Sequence, residues 1–422
     1  MSGHDALDVH VELNGRTALV GRAHFHRPRG TLTSTTFQYD ADYLGDPDAY
    51  AIDPALRLVS GSQQTSGLPG AFADSAPDRW GRNLIAKQER GRAREQTRRA
   101  RTLDDVDFLV GVSDVTRQGA LRFRADPRGP FLDPDHEVPR LISLPMLLRA
   151  ADSAVSDPVD GDLEAVKILL AAGTGSLGGA RPKASVLDED GHPLIVKFPH
   201  HSDEWDLMAW EATALDLAAA SGVRVPSRRL SRIDGRHVLL LDRFDRSGSR
   251  PTVRIGYTSA MTMLERHDGE TADYADIAEQ LPEVSASATD DAHELFRRAA
   301  LSVGLNNTDD HLRNHGFLRA RGGWRLSPAF DINPNPEATA RQTTIGGAEV
   351  SAQENDGLLV LAADCRLSIA DARVELTRVA DALERWRDIA RTNGIPHFEL
   401  GRFEDSFRSG LGTLREAARS PL

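Results

Sequence analysis

The chain contains one cysteine in 422 residues, Cys365. A lone thiol excludes an internal disulfide and a Cys-based zinc site, and it fits a reducing compartment. Long apolar runs are missing too, none approaching the ~18 residues a membrane span needs. The opening stretch MSGHDALDVHVELNG has no basic region followed by an apolar one, so no signal peptide is expected. Net positive charge is also absent. The formal balance is −12, which excludes long-range attraction of the whole chain to nucleic acid; DNA contact requires a local basic patch or a partner. No internal repeat and no long low-complexity tract interrupts the sequence. What remains is a cytoplasmic globular protein with no membrane partner. A 40% hydrophobic and 27% charged composition fits that class.

Such a length exceeds one compact core and points to two or three domains. Residues 1–150 open with strand-like DVHVELNG and TALVGRAHFH, joined through Asn14-Gly15, a hairpin signal. A helix is expected in APDRWGRNLIAKQERGRAREQTRRAR, with Pro77 near its first turn. The acidic ADSAVSDPVDGDLE, with Pro and Gly, reads as a connection. Residues 163–245 alternate strand and helix signals, with ASVL and LIVKF around Asp190-Gly191 and a helical EWDLMAWEATALDLAAAS. From about residue 250 the pattern is mostly helical, clearest in DARVELTRVADALERWRDIART. Strands first and helices after predict an α+β class over a doubly wound sheet.

AAGTGSLGGARPKAS places Gly173, Gly175 and Gly178 in a G-x-G-x-x-G pattern. A dinucleotide fingerprint needs a helix after the glycines, and Arg181-Pro182 followed by a strand-like run denies it. Two readings stay open: a flexible linker, and a loop whose backbone N–H groups cover nucleotide phosphates. In a hairpin centred near residue 190, Lys183 and Lys197 lie opposite each other on one sheet face. Two neighbouring ammonium groups repel unless an anion lies between them, and a triphosphate is such an anion; the alternative is two solvated lysines.

The segment NNTDDHLRNHGF, residues 306–317, is denser in polar groups. Thr308, Asp309 or Asp310 could cap a turn. His311 and His315 at i, i+4 could bind zinc, but H-E-x-x-H is absent and Gly316 follows at once. The third reading depends on the hairpin formed by GFLRA, RGG and WRLSPAF. Asn314 precedes its first strand and Asp331 follows its second, so the two converge. An amide oxygen and a carboxylate are hard ligands suited to Mg²⁺ on phosphates. Asp309, five residues before Asn314, then serves as catalytic base, in the order found in protein kinases.

These motifs together resemble the HipA family, serine/threonine kinases that are toxins of bacterial toxin–antitoxin pairs. SLGGARPKAS resembles its phosphate loop, PLIVKFP its strand lysine, LLLDRFDR its interlobe connection, NNTDDHLRNHGF its catalytic loop and SPAFDI its metal-binding segment. GLPGAFADSAPDRWGRNLI and GALRF resemble the preceding subdomain, with weaker likeness in RIGYTSAMTMLE and TTIGGAE. The resemblance implies a protein-kinase-like bilobal core after a small α+β subdomain: residues 1–150, then a strand-rich lobe at 151–245 and a helical lobe at 246–422. It implies Asp309 as base, with His311 and Arg313 in the catalytic loop, and Asn314 and Asp331 as Mg²⁺ ligands. Gly175, Ser176, Gly178, Gly179, Lys183 and Lys197 would hold ATP phosphates, and Asp242 and Phe244 the adenine. Ser176 matches a serine that family members phosphorylate in their own loop, switching the kinase off. Glu211 is placed to pair with Lys197.

The implied partners are a helix-turn-helix antitoxin (HipB-like), operator DNA mainly through it, and a protein substrate such as an aminoacyl-tRNA synthetase. At position 313 the family often has Lys; Arg keeps the charge as a planar fork, which bears on its phosphate contact. Two competing functions carry over: a non-catalytic corepressor assembling on DNA, and a small-molecule kinase. The basic run KQERGRAREQTRRAR, Lys87 to Arg101, would serve the first, its alternative being a solvated helix face.

Overall fold

Asn14 and Gly15 both take positive φ, 49° and 80°, the twist a two-residue hairpin turn demands. They join β1 (Ala6–Leu13) to β2 (Arg16–His26) as the sequence predicts. With β3 (Ser34–Tyr39), β4 (Ser62–Ser66) and β5 (Leu121–Arg124) these make an antiparallel sheet in the order β4-β3-β2-β1-β5. The computed structural model describes residues 4–132, 138–156, 162–173, 181–248, 252–337 and 340–420. The chain folds as two compact units, residues 1–202 with 232–258, and residues 203–231 with 259–422.

In the first unit, short α1 (Ala41–Leu44) and α2 (Gly70–Asp74) precede α3 (Arg79–Glu95), and α4 (Asp105–Val110) follows it. The expected long helix starts where Asp78 caps it through Gly81 N–H at 2.7 Å and ends before Thr97, which is left-handed at φ 50°. A second antiparallel set pairs β6 (Lys183–Leu187) with β7 (Pro193–Lys197), and β7 with β9 (Arg236–Asp242). In sequence between β7 and β9, β8 (Arg228–Ile233) carries the chain back from the second unit, and the short β10 (Arg246–Ser247), β11 (Val253–Arg254) and β12 (Tyr257–Ser259) follow β9. Helices α5 (Leu144–Ser156) and α6 (Leu163–Ala171) cover this sheet. Leu147, Leu148, Ala151, Val166 and Leu169 join Trp80 and Leu84 of α3 over Ala184, Val186, Val196 and Leu240. Residues 151–156, read from composition as connection, therefore complete α5: Ala151 and Ala154 extend an apolar stripe that Leu147 and Leu148 begin.

The second unit is mainly helical. Helix α7 (Leu207–Ala220) packs with α10 (Ala288–Leu305), α12 (Ile369–Leu383) and α13 (Trp386–Thr392). Trp210 stacks on Phe403 and Trp386 on Phe407, at centroid separations of 3.8 and 4.3 Å, seating α14 (His397–Arg419). Helices α8 (Ala260–Met263), α9 (Tyr274–Val284) and α11 (Glu354–Asp364) complete the unit. Both units mix strands and helices, the larger sheets in the first and most of the long helices in the second, in keeping with the α+β class. Among the described residues no helix is long and apolar enough to cross a membrane.

Candidate active site

Helix α10 stops at Asn306, which turns left-handed at φ 51° and donates its side-chain amide to Asn335 O at 2.7 Å. Asn tolerates that conformation better than most residues. The next two residues continue the stitching. Asn307 Oδ1 accepts from Asn333 N–H at 3.3 Å, and Thr308 Oγ1 lies 3.5 Å from Asn335 Nδ2. The front of NNTDDHLRNHGF therefore joins two chain segments that sequence separates. Asp309 comes next and is exposed, while Asp310 is buried.

From the loop's far end, Asn314 closes a short 3₁₀ turn (Leu312–Asn314) and donates Nδ2–H to Asp309 O at 3.2 Å. The amide oxygen of Asn314 is thereby oriented opposite the engaged nitrogen. The expected hairpin follows: β14 (Gly316–Ala320) pairs with β15 (Gly323–Leu326), Phe317 opposite Leu326, and Ser327 N–H reaches Gly316 O at 2.8 Å. That closure brings the segment after β15 back to the loop, where Asn314, Phe330 and Ile332 line one small cavity. Asp331, between the last two, is left-handed at φ 58°. Aspartate, like asparagine, tolerates that conformation better than most residues.

Asp310 does different work. His315 Nε2 lies 3.1 Å from its Oδ1 and the Tyr274 hydroxyl donates to Oδ2. Burial alone would raise the Asp310 pKa. The nearby imidazole of His315 and the Tyr274 hydrogen bond overcome it and hold the carboxyl below its ordinary value. Burial and the Asp310 charge push the Tyr274 hydroxyl well up. His315 lies against Asp310, and among the described residues neither it nor His311 belongs to a cluster of three or more metal-ligating groups. His311 Nδ1 is buried with no hydrogen-bond partner among the described residues, and Arg313 is paired with Asp268 at 3.0 Å.

In the first unit Lys183 and Lys197 are direct cross-strand partners, as the hairpin reading requires. Both are buried, and Lys183 Nζ lies 2.6 Å from Asp78 Oδ2, the cap of α3. A carboxylate of the chain itself thus neutralises Lys183. Phe244 lies against Tyr257, with ring centroids 6.3 Å apart, and Asp242 ends β9 exposed. The chain between them is fixed by charge. Arg243 and Arg246 both reach Asp245 Oδ2, at 2.6 and 2.8 Å, and Asp245 also accepts from Gly119 N–H. Gly173 is left-handed at φ 65° with Thr116 packed where a Cβ would stand. Gly175, Ser176, Gly178 and Gly179 lie outside the described residues.

Two family descriptions match this sequence, HipA-like C-terminal domain over residues 175–391 and HipA N-terminal domain over residues 13–123. The first alone covers just over half the chain. The chain belongs to the HipA family. Among curated proteins, "Putative kinase Y4mE" of Sinorhizobium fredii is 24% identical over 266 residues, 56% of this chain and 60% of that protein. The HipA-family chain thus spans about three fifths of that relative's length. Among solved structures, a chain of the Shewanella oneidensis MR-1 toxin–antitoxin complex of HipA, HipB and operator DNA superposes with a TM-score of 0.66. It is 13% identical, with 99% of this chain and 100% of that one covered, so the likeness is one of fold. The Helicobacter pylori proinflammatory kinase CtkA reaches a TM-score of only 0.39 at 14% identity, over 57% of this chain and 93% of its own.

Against the family pattern, the second unit brings Asp309 and Asn314 into direct contact, and Phe330 and Ile332, the neighbours of Asp331, line a cavity with Asn314. The first unit sets Lys183 opposite Lys197. Glu211 and Lys197 belong to different units. Sequence reasoning passed over Asp78, Tyr274, Arg341 and Gln342. Asp78 lay within the quoted APDRWG motif and TTIGGAE adjoins Gln342, so the stretches were visible but their contacts were not.

Proposed function

We propose that this HipA-family chain is an ATP- and Mg-dependent serine/threonine protein kinase that acts as a HipA-like toxin. The observation that carries the reading is the loop after α10: an exposed Asp309 carboxylate, an Asn314 amide anchored on Asp309's own carbonyl, and a left-handed Asp331 two residues before Asn333, whose N–H is bound by Asn307. Asp309 accepts the proton of the attacking hydroxyl as that oxygen bonds to the transferred phosphorus. The donor set of Asn314 and Asp331 is oxygen-only, which fits Mg²⁺. When bound, the ion would neutralise charge on the phosphate oxygens. Lys183 and Lys197 contact the phosphates, and backbone groups near Asp242 and Phe244 take the adenine. In this reading residues 1–150 form the family's leading subdomain, 151–245 the nucleotide-binding lobe and 246–422 the catalytic lobe. His311 supports the phosphates or the loop; Arg313 faces the γ-phosphate by exchanging Asp268 for it.

Ser176 is the proposed site of self-modification, which would switch the kinase off. Its partners are a helix-turn-helix antitoxin, operator DNA through that antitoxin, and a cytoplasmic protein substrate such as an aminoacyl-tRNA synthetase. The experiment is incubation with Mg-ATP followed by intact mass and peptide mapping. One added phosphate at Ser176, absent from Asp309→Ala, is the expected result. No added phosphate with ATP still bound would overturn the reading in favour of a corepressor. Transfer to a metabolite but to no protein would make it a small-molecule kinase.

A further inference from the structure

The strand that follows the proposed metal-binding segment is fastened to the catalytic loop at three successive residues. β16 (Ala340–Ile345) runs parallel to β13 (Ala272–Asp273), with Ala272 opposite Thr343 and Asp273 opposite Thr344. Its Arg341 pairs with Glu354 of α11, the two side chains only 2% and 4% exposed. The same guanidinium donates to Asn307 O and Ser302 Oγ, each at 3.0 Å. One residue on, Gln342 N–H donates to Thr308 O at 3.2 Å, and its side-chain Nε2–H donates to Asp309 Oδ1. Beyond them Asp273 accepts from Gly346 and Gly347 N–H at 2.9 and 2.8 Å, which fixes the far end of the strand. Residues 307, 308 and 309 are thus each gripped by residue 341 or 342.

We infer that Gln342 is a positioning residue for the base: its amide holds Oδ1 of Asp309 and so aims Oδ2 at the acceptor hydroxyl. This rests on the kinase reading above. An aspartate carboxylate, one methylene from the backbone, turns about χ2 unless a contact fixes it, and alignment of the attacking oxygen is where phosphoryl-transfer catalysts gain most. Asn314 fixes the backbone of Asp309; Gln342 fixes its side chain. The amide is suited to the task because it donates without carrying charge, leaving the carboxylate's basicity for the substrate proton. Gln342 is itself exposed, so replacing it removes no core packing.

The test compares Gln342→Ala and Gln342→Glu with the wild type. A fall in kcat of roughly 10- to 100-fold for Gln342→Ala, with KM for ATP and the melting temperature unchanged, is expected. Gln342→Glu keeps the shape but sets a second carboxylate against Asp309, and it should fall further than the alanine variant. A kcat within twofold of wild type, or a glutamate variant as active as the wild type, overturns the proposal. A second measurement needs no activity. The Gln342 side-chain amide signal in ¹⁵N-glutamine-labelled protein, assigned by its loss in Gln342→Ala, should move in Asp309→Ala without nucleotide. An unmoved signal overturns the contact outright. A moved signal in a wild type that transfers phosphate to nothing sinks the kinase reading and leaves the contact standing.

Discussion

Asp309 and Asp310 are adjacent and chemically identical, yet the fold assigns them opposite work. Asp309 is exposed, while Asp310 is sealed between His315 and Tyr274. A turn at a helix terminus points consecutive side chains in different directions, and only the deeper one needs internal partners. Tyr274→Phe deletes one donor to a buried carboxylate and should cost about 1–3 kcal/mol by urea unfolding. An unchanged midpoint would show that the tyrosine contact is not holding the loop. The proposed trio Asp309, Asn314 and Asp331 is read from order and spacing, because a hairpin brings its two ends together, and of it the contact of Asn314 with Asp309 is seen. Tyr274 and Gln342 were not, since each reaches the loop from an element more than thirty residues away.

At the scale of elements, α3 shows why a run of basic residues is weak evidence of a nucleic-acid surface. Lys87 is buried and donates to Ala154 O at 2.5 Å, while Arg98 pairs with Glu89 at 2.6 Å and Arg101 contacts the same carboxylate. Three of the basic groups between Lys87 and Arg101 therefore fasten α3 and the chain after it. The Arg98 hydrogen bond, opposed by partial burial, lowers Glu89 from its ordinary 4.5 to about 2. A depressed carboxyl stabilises the fold above its unfolded value and loses that contribution as pH falls through the folded one. The stability difference between wild type and Glu89→Gln should thus be constant above about pH 4.5 and close between about 4.5 and 2. Urea midpoints measured across that range decide it; a gap that persists at the acid end would assign the effect to packing. Helix α10 shows the reverse limit on sequence reading. A Cβ on Gly410 of α14 would stand 2.6 Å from Gly304 O, so two glycines 106 positions apart set the crossing that delivers Asn306 to the loop.

On the scale of the molecule, the leading sheet and the connection after β9 fold as parts of one unit. Arg243 donates to Thr116 O at 2.6 Å and Arg246 to Arg117 O at 2.6 Å, while Arg254 reaches Asp114. Asp245 is fully enclosed there. Burial works against its charge, but Arg243 and Arg246 hold its carboxyl well below the usual range. Breaking a buried pair leaves an uncompensated charge, at about 3–5 kcal/mol. Asp245→Ala should lower the melting temperature and open new protease cuts in residues 113–119 and 243–254 together. Cuts confined to one stretch would show that the two do not depend on each other.

The sequence by itself determined the α+β class, the hairpins at Asn14-Gly15 and Asp190-Gly191, and the order Asp309, Asn314, Asp331. Each is a local matter of turn chemistry, periodicity and spacing. Tertiary structure alone decided that Lys183 meets Asp78, that α7 folds with the second unit, and that Gln342 reaches Asp309. Those pairings join segments brought together by burial of apolar faces, and no residue's neighbours along the chain carry that information.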